Sequence, residues 1–334
     1  MANLITSSLT YSKEDAQKYF LQPLFVQNSA LDYFEIMTNV KSSQKLDKFS
    51  TLDKITIAEA AGFQGQTGVT YTQRTITVAR MEAEIEQSGG TFFNTIKGEL
   101  LKLGLNKDDI TGTILQTIVA DIMLRGVKRD LERQLWFADS TNADADYSGY
   151  DGILKQLAGL PAGQKLEITS GALGANVAKA EFQAMIDAMP NEGLENRADL
   201  VFFASRSLCD NYRATLGAVA NGQELAYLSS VNGTPSLAYQ GIPVVEMAQW
   251  DTHIAADATK IAPSLHTAAN DFDGHLAVLT VKNNIVIATD YNAVSGADVW
   301  YNKDLKVNRF RFEYVIGTNF KNSELTVTAD SNAA

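Results

Sequence analysis

Oxygen-bearing side chains alternate with other residues in a short segment near the middle of the chain. Asp144, Asp146 and Ser148 stand at positions one, three and five of a possible calcium loop, and Gly149 stands at position six. Such a loop closes with a bidentate glutamate at position twelve, where this chain has Lys155. The pattern therefore favours a polar surface turn over a metal site.

Histidine could supply metal binding or proton transfer, and the chain contains His253, His266 and His275. Zinc-binding histidines commonly have roughly three to five residues between them, a spacing that does not occur here. Asp271 and Asp273 lie between the last two histidines, but the segment is typical of a loop that enters a strand. We expect these histidines to be solvated loop residues.

Nucleophilic and phosphate-binding motifs are missing from the sequence. A serine hydrolase needs a serine on a sharp turn with a histidine base and an orienting acid, and no Gly-x-Ser-x-Gly turn occurs. The segment from Ser88 to Thr91 lacks the Gly-Lys ending of a phosphate-binding loop. We expect no catalytic residue, no metal and no cofactor.

Composition limits the partners. The 28 basic residues are outnumbered by 39 acidic ones, for a net charge of −11, which argues against a dedicated nucleic-acid binder. Cys209 is the single cysteine and cannot form an internal disulfide; we expect a buried thiol and folding in a reducing compartment. Neither a signal segment nor an apolar run of about 20 residues is present, so we expect no membrane contact.

A basic group lies at the end of a strongly periodic helical segment, residues 112–137. It is expected to form a solvated helix face, with Asp130 and Glu132 as local ion-pair partners. Contact with an acidic neighbour or with DNA is the alternative. The group consists of Arg125, Lys128, Arg129 and Arg133.

The N-terminal third predicts two extended features. Residues 1–50 form an arm with large apolar side chains. Residues 52–87 carry a hairpin pattern, with strands at 54–59 and from Tyr71 to Glu86, although 81–86 could be helical by propensity. The tip, residues 62–68, contains three glycines, and a ribbon this long needs a partner surface to be stable. The candidate contact residues on the arm and ribbon are Tyr19, Phe20, Phe25, Gly62, Phe63, Gln64, Gly65, Gly68, Arg74 and Arg80.

Helices and strands follow one another in the second half, so the predicted fold class is α+β. Loops are expected at 222–237 and from Asp257 to Asp271. The expected helices are 178–189 and 206–216, and the expected strands are 200–204, 241–245, 275–281, 285–288, 307–315 and 325–327.

The order of these elements resembles the capsid fold of tailed bacteriophages, the Hong Kong 97 type. The resemblance covers nearly the whole chain but is a pattern of elements, not a strict motif. The segments that carry it are Leu131–Asp139 running into Gly149–Leu154, Tyr239–Val245 after Val201–Ser205, and the tail Arg309–Ile316.

This resemblance implies an arm at 1–50, an extended hairpin loop at 51–92, a peripheral domain with a spine helix at 93–140 and 286–334, and a mainly axial domain with interleaved peripheral segments at 141–285. It implies a major capsid protein that assembles into pentamers and hexamers of an icosahedral head, is made in the bacterial cytoplasm and is part of the virion. The implied partners are other copies of the chain, a portal, and DNA packaged on the inner face without sequence specificity.

The sequence departs from the family in two ways. The arm begins almost at Met1, so we expect any scaffold to be a separate protein. Some members of the family join neighbouring subunits through a lysine on the extended loop, but this chain has no lysine between Lys54 and Lys97, so we expect noncovalent contacts. Two alternatives remain: a shell protein of an encapsulin-type nanocompartment, and a soluble enzyme with an unrecognised site.

Overall fold

The computed structural model describes residues 30–49, 71–88, 109, 114–169, 172–195, 197–217, 229–231, 234–261, 272–290 and 298–332. Within these ranges the chain forms fourteen strands in three sheets, together with six α-helices. None of these helices combines the length and the apolar character that crossing a bilayer requires.

The largest sheet has the strand order β5-β14-β10-β6-β9-β8-β7 in the described residues. Its central strand β6 is buried along its whole length, because helices cover both faces of the sheet. The strands are β5 (Lys165–Thr169), β6 (Leu200–Ser205), β7 (Ser229–Val231), β8 (Thr234–Tyr239), β9 (Ile242–Met247), β10 (Phe272–Val281) and β14 (Thr326–Asn332).

A second sheet has the order β1-β11-β13-β12, and β4 also pairs with β13. The long strand β13 changes neighbours along its length: its first part lies between β12 and β4, and its last part pairs with β11. The strands are β1 (Glu35–Met37), β4 (Ala79–Ser88), β11 (Ile285–Thr289), β12 (Asp298–Asn302) and β13 (Val307–Phe320).

A two-stranded ribbon projects from this second sheet. It pairs β2 (Ser43–Phe49) with β3 (Tyr71–Thr77) in antiparallel register, from Ser43 opposite Thr77 to Phe49 opposite Tyr71. Only one residue, Val78, separates β3 from β4. The ribbon therefore continues directly out of the sheet.

The helices are arranged around these sheets. The first is a long rod that packs against the apolar face of the second sheet and against the core of the first. Its expected extent of 112–137 is confirmed from residue 114 onward, and residues 112 and 113 lie outside the described residues. The helices are α1 (Ile114–Phe137), α2 (Ile153–Leu157), α3 (Val177–Ala188), α4 (Asn191–Leu194), α5 (Arg206–Gly217) and α6 (Trp250–Ile261).

Most expected elements are confirmed, and the fold class is a mixture of helix and sheet as predicted. The helical alternative for residues 81–86 is wrong, because these residues form β4 and pair with β13. The loop expected to start at Asp257 is wrong up to residue 261, where α6 continues. Residues 229–231 and 234–237 of the expected loop 222–237 belong to β7 and β8. Strand 54–59 of the predicted hairpin lies outside the described residues, and the described partner of β3 is β2.

Candidate functional site

The root of the ribbon packs against the body of its own chain. Leu46 and Ile76 point inward from β2 and β3 and form a small buried cluster with Val286 and Ala288 of β11. Next to this cluster, the end of β3 passes very close to Gly317 of β13. An added Cβ at Gly317 would clash with the carbonyl oxygen of Thr77. Only glycine permits this approach, so the ribbon's point of departure from the sheet is fixed sterically.

Polar contacts hold the same root. Lys48 of β2 donates to the side-chain oxygen of Asn322 at 3.0 Å and forms an ion pair with Glu324 at 2.5 Å. The amide of Asn319 donates to the backbone carbonyl of Thr75 at 2.8 Å. The residues that hold the ribbon, Asn319, Asn322 and Glu324, lie at the end of β13 and in the turn that follows it. The ribbon is thus seated in apolar and polar contacts before it leaves the body.

Lysine, asparagine and glutamate side by side are also the residues that can form an isopeptide bond with loss of ammonia. That reaction needs an uncharged amine and an acid that can carry the proton, which burial in apolar surroundings favours. Here the Glu324 side chain is 65% exposed and that of Lys48 is 21% exposed. Such exposure does not supply the apolar burial that the reaction needs, so the geometry supports a surface ion pair.

The outer face of the second sheet carries charged side chains. In the register of β4 and β13, Glu86 lies opposite Arg309 and Glu84 opposite Arg311, and both pairs form salt bridges. The next pair places Glu82 opposite Glu313, and two carboxylates in that arrangement repel each other. Arg311 also reaches Glu313 at 3.7 Å, so the face is hydrophilic and carries charges of both signs.

The predicted polar turn after α1 acts as a clamp to α6. Asp144 forms an ion pair with Lys260 at 2.8 Å, and the hydroxyl of Tyr147 donates to Asp257 at 2.8 Å. Lys155, at the position of the missing calcium ligand, instead donates to Asp139 at 2.8 Å. In the described part of the chain no three His, Cys, Asp or Glu side chains are grouped to hold a metal. The turn is therefore structural in these residues.

One basic residue of α1 takes part in this clamp. Arg133 pairs with Asp130, and its guanidinium lies 4.9 Å from the ring centre of Tyr147. Burial raises the pKa of Asp130, against the attraction of Arg133. The expected local pairing with Asp130 is confirmed, but the end of the helix is more buried than a solvated face would be.

Two histidines are placed differently from expectation. His253 lies on α6 against the ring of Phe137, and its Nε2 atom is buried with no hydrogen-bond partner. Burial and the neighbouring Arg133 lower its pKa. His275 lies in β10, half-buried, with Nδ1 2.8 Å from the hydroxyl of Ser207. The prediction of solvated loop histidines is wrong for both, and His266 lies outside the described residues.

Tertiary structure also brings a serine, a histidine and an acid together, which the sequence did not indicate. Asp251 accepts hydrogen bonds from the backbone N–H of Ser207 at 2.8 Å and from its hydroxyl at 3.2 Å. A catalytic acid would orient the imidazole from its far side, whereas Asp251 contacts the serine. A carboxylate at the first turn of α5 stabilises that helix end. The arrangement is that of a helix cap linked to His275.

The single cysteine has the expected environment. Cys209 is fully buried on α5, and burial raises the pKa of its thiol to about 12. The reactive thiolate form is therefore suppressed at neutral pH.

Two of the candidate contact residues fall within the described ranges. Arg74 lies on the inward face of β3, where burial lowers its pKa and Glu324 is the nearby opposing charge. Arg80 is exposed on β4, opposite Val315. The other candidates lie outside the described residues: Tyr19, Phe20, Phe25, Gly62, Phe63, Gln64, Gly65 and Gly68.

Comparison of whole folds places this architecture among phage capsid structures. A chain of Mycobacterium phage Ogopogo matches with a TM-score of 0.59 and 12% identity, covering 91% of this chain and 92% of that one. A chain of the satellite phage P4 procapsid, a structure that includes the size determination (Sid) protein, matches with a TM-score of 0.55 and 10% identity, over 98% and 93%. A capsid chain of cyanophage Pam1 matches with a TM-score of 0.53 and 11% identity, over 98% and 96%.

Sequence comparison adds nothing to this. No family model matches the chain, and no curated protein matches it. The chain therefore has the fold of phage capsid proteins along nearly its whole length, at a sequence identity that shows the fold alone.

Proposed function

We propose that this chain is the major capsid protein of a tailed bacteriophage and assembles into the pentamers and hexamers of an icosahedral head that encloses double-stranded DNA. The observation that carries the proposal is the fold match over 91–98% of the chain to the capsid structures of three phages.

The geometry of the ribbon supports a role in assembly. Its root is locked to the body by Gly317, Lys48 and Asn319, while the outer side of its strands is polar and exposed. A projection with a fixed base and a glycine-rich tip can reach an adjacent copy from a defined starting point. Many weak contacts of fixed geometry, repeated by symmetry, close a shell.

The proposal assigns a role to each part of the chain. The tip at 62–68 reaches over a neighbour, and the part of the expected arm 1–50 that precedes residue 30 lies against another, since residues 30–49 belong to the body and ribbon of their own chain. Residues 93–140 and 286–334 form the peripheral domain, and residues 141–285 form mainly the axial domain. A separate scaffold protein and a portal take part in assembly in the bacterial cytoplasm, and DNA lies against the inner face without sequence specificity.

Deletion of residues 60–70 tests the assembly role. The deleted part is the ribbon tip and not its root, so we expect a soluble subunit with unchanged thermal unfolding that forms no closed shells in electron micrographs. Gly163→Ala is the matched control, since that exposed position has open space in the described structure and should leave shells intact. Normal particles from the deletion variant would exclude this role for the ribbon.

The particles themselves test the remaining points. Denaturing gel electrophoresis should give one monomer band, and a ladder of covalent multimers would contradict the expectation of noncovalent contacts. Shells that protect DNA from nuclease support a phage head, whereas shells filled with an enzyme indicate a nanocompartment. A purified chain that remains a small monomer with catalytic turnover would overturn the proposal.

A further inference from the structure

Two chain connections run side by side where the first sheet joins the second. Strand β10 passes into β11 through residues 282–284, and β13 passes into β14 through residues 321–325. Strands β10 and β14 are paired in the first sheet, and β11 and β13 are paired in the second. The angle between the two sheets therefore depends on how these two connections are held against each other.

A buried asparagine joins the two connections. Asn284 is 5% exposed. Its side-chain nitrogen lies 2.8 Å from the carbonyl oxygen of Asn322, and 3.0 and 3.1 Å from the hydroxyls of Thr280 and Thr326. Its side-chain oxygen accepts a hydrogen bond from the backbone N–H of Asn322 at 2.9 Å. Both polar atoms of this side chain thus have partners, and a buried polar group that is fully hydrogen-bonded restricts its surroundings to one arrangement.

The second of these connections also holds the ribbon. The side-chain oxygen of Asn322 accepts a hydrogen bond from Lys48 of β2 at 3.0 Å and another from the backbone N–H of Glu324 at 3.1 Å. Lys48 and Glu324 form an ion pair as well. An unbroken series of hydrogen bonds therefore runs from the buried Asn284, through the backbone and side chain of Asn322, to the ribbon.

The other contacts of the ribbon root differ in what they join. Leu46 and Ile76 pack against β11, and the amide of Asn319 in β13 donates to the carbonyl of Thr75. These contacts attach the ribbon to the second sheet. Lys48, in contrast, binds the connection that leads into β14, so its bonds attach the ribbon to the first sheet.

We propose that Asn284 and Asn322 form a latch that fixes the direction of the ribbon relative to the first sheet. Asn284 holds the backbone of Asn322, and the side chain of Asn322 holds Lys48. A change in the angle between the sheets moves Asn322 and carries the base of the ribbon with it. Asn284 is thus a positioning residue for the ribbon, although its own hydrogen bonds are made elsewhere. The latch goes beyond the proposed function, because it operates within a single subunit.

Distances between two spin labels test the latch in the full-length, unassembled subunit. One label is attached on the ribbon at Thr72→Cys and the other on α3 at Ala180→Cys, both of which are exposed positions. Cys209 is fully buried and should remain unlabelled. We expect a narrow distribution of distances in this parent chain, because the latch holds the ribbon in one direction.

Three variants of the parent separate the latch from a general loss of stability. Asn322→Ala removes the bond to Lys48 and keeps the backbone bonds to Asn284, so the distribution should shift or broaden beyond the parent's width. Asn284→Ala should have the same effect and also lower the unfolding temperature, because buried hydrogen bonds are lost. In Lys48→Met the link is already cut, so the addition of Asn284→Ala should change the distribution no further.

Asn302→Ala is the matched control. Asn302 accepts hydrogen bonds from the backbone N–H groups of Asp304 and Leu305 in the turn before β13, far along that strand from the latch. Its removal should leave the distribution as it is in the parent.

Each result decides the matter. A distribution that is unchanged in Asn322→Ala overturns the latch, and this variant decides it even where Asn284→Ala does not fold. The latch is also overturned when Asn284→Ala has its full effect on top of Lys48→Met, or when the Asn302→Ala control broadens equally. Shell formation by the parent is measured separately: a parent that never assembles contradicts the proposed function and leaves the latch standing.

Discussion

The two large sheets differ in how their faces are covered. In β6 successive residues alternate between two apolar cores: Phe203 packs toward α1 and Phe202 toward α3 and α5. In the first part of β13, from Asn308 to Tyr314, only one face is apolar: Phe310 and Phe312 lie in the core shared with α1, while Arg309 and Arg311 point away. In the described residues the first sheet has an apolar core on each face. The second sheet has a hydrophilic face along part of β13, and the ribbon extends from it.

This difference distinguishes the first sheet, which stabilises the fold of the subunit, from the second sheet and ribbon, which we propose contact other copies. A strand buried on both faces derives its stability from its own chain. A face lined with ion pairs contributes little to folding, because exposed salt bridges are weak. Changes in the first region should therefore alter folding, and changes in the second should mainly alter contacts between copies.

The largest effect is expected in the doubly buried strand. Phe203→Ala removes a fully buried ring that contacts Phe34 and Trp136, and it should lower the free energy of unfolding by about 3–5 kcal/mol. Chemical denaturation of the subunit measures this. A loss below about 1 kcal/mol, typical of surface substitutions, would break the distinction between the two sheets.

A smaller effect is expected where the ribbon crosses the second sheet. Gly317→Ala places a methyl group against the carbonyl of Thr77, and overpacking of this kind costs about 1–3 kcal/mol. Gly163→Ala, with open space around it, is the matched control and should be nearly neutral. Because the ribbon root must shift, Gly317→Ala should also reduce shell formation under conditions in which the subunit remains folded. Shells at the normal yield would show that the position of the root is not critical.

On the charged face the expected change in stability is smaller still. Arg311 forms ion pairs with Glu84 and Glu313 and is 40% exposed, so Arg311→Ala should cost about 0.2–1 kcal/mol. If this face meets other copies, assembly should become markedly less efficient at the same time. Unfolding curves and particle yield, measured on the same preparation, show whether Arg311→Ala affects folding or assembly. A large loss of stability with normal assembly would show that this face stabilises the fold and does not contact other copies.

The smallest effect is expected for the pH dependence of stability due to His253, which lies on α6 against Phe137 of α1. Burial and Arg133 lower the pKa of His253, while Asp257 and Asp130 oppose that shift. The unfolded chain therefore binds a proton more readily, so stability should fall as the pH decreases below about 6.5 and be independent of this group above it. His253→Gln should flatten that part of the profile. An unchanged profile would show that the histidine is already solvated.

Elements with strong local signals could be predicted from the sequence. The period of isoleucine and leucine predicted α1, and unbroken apolar runs predicted β6 and β10. Helix α6 was missed, because its apolar positions are interrupted by polar and charged residues, of which Lys260 and Asp257 pair with Asp144 and Tyr147 of the turn. The helical propensity of residues 81–86 was overridden by cross-strand pairing, because each of these six residues has a partner in β13.

Residue patterns were enough to predict the fold class, most of the order of the elements, the acidic charge and the missing calcium ligand at Lys155. Tertiary structure alone decided that Arg74 faces inward, that Ser207, His275 and Asp251 meet as a helix cap, and that Gly317 is a crossing point. Periodicity and propensity describe residues that are close in the chain, so they cannot show which distant residues will come into contact. The ribbon root instead joins Lys48 to Asn322 and Thr75 to Asn319, partners whose proximity exists only after the sheets have formed.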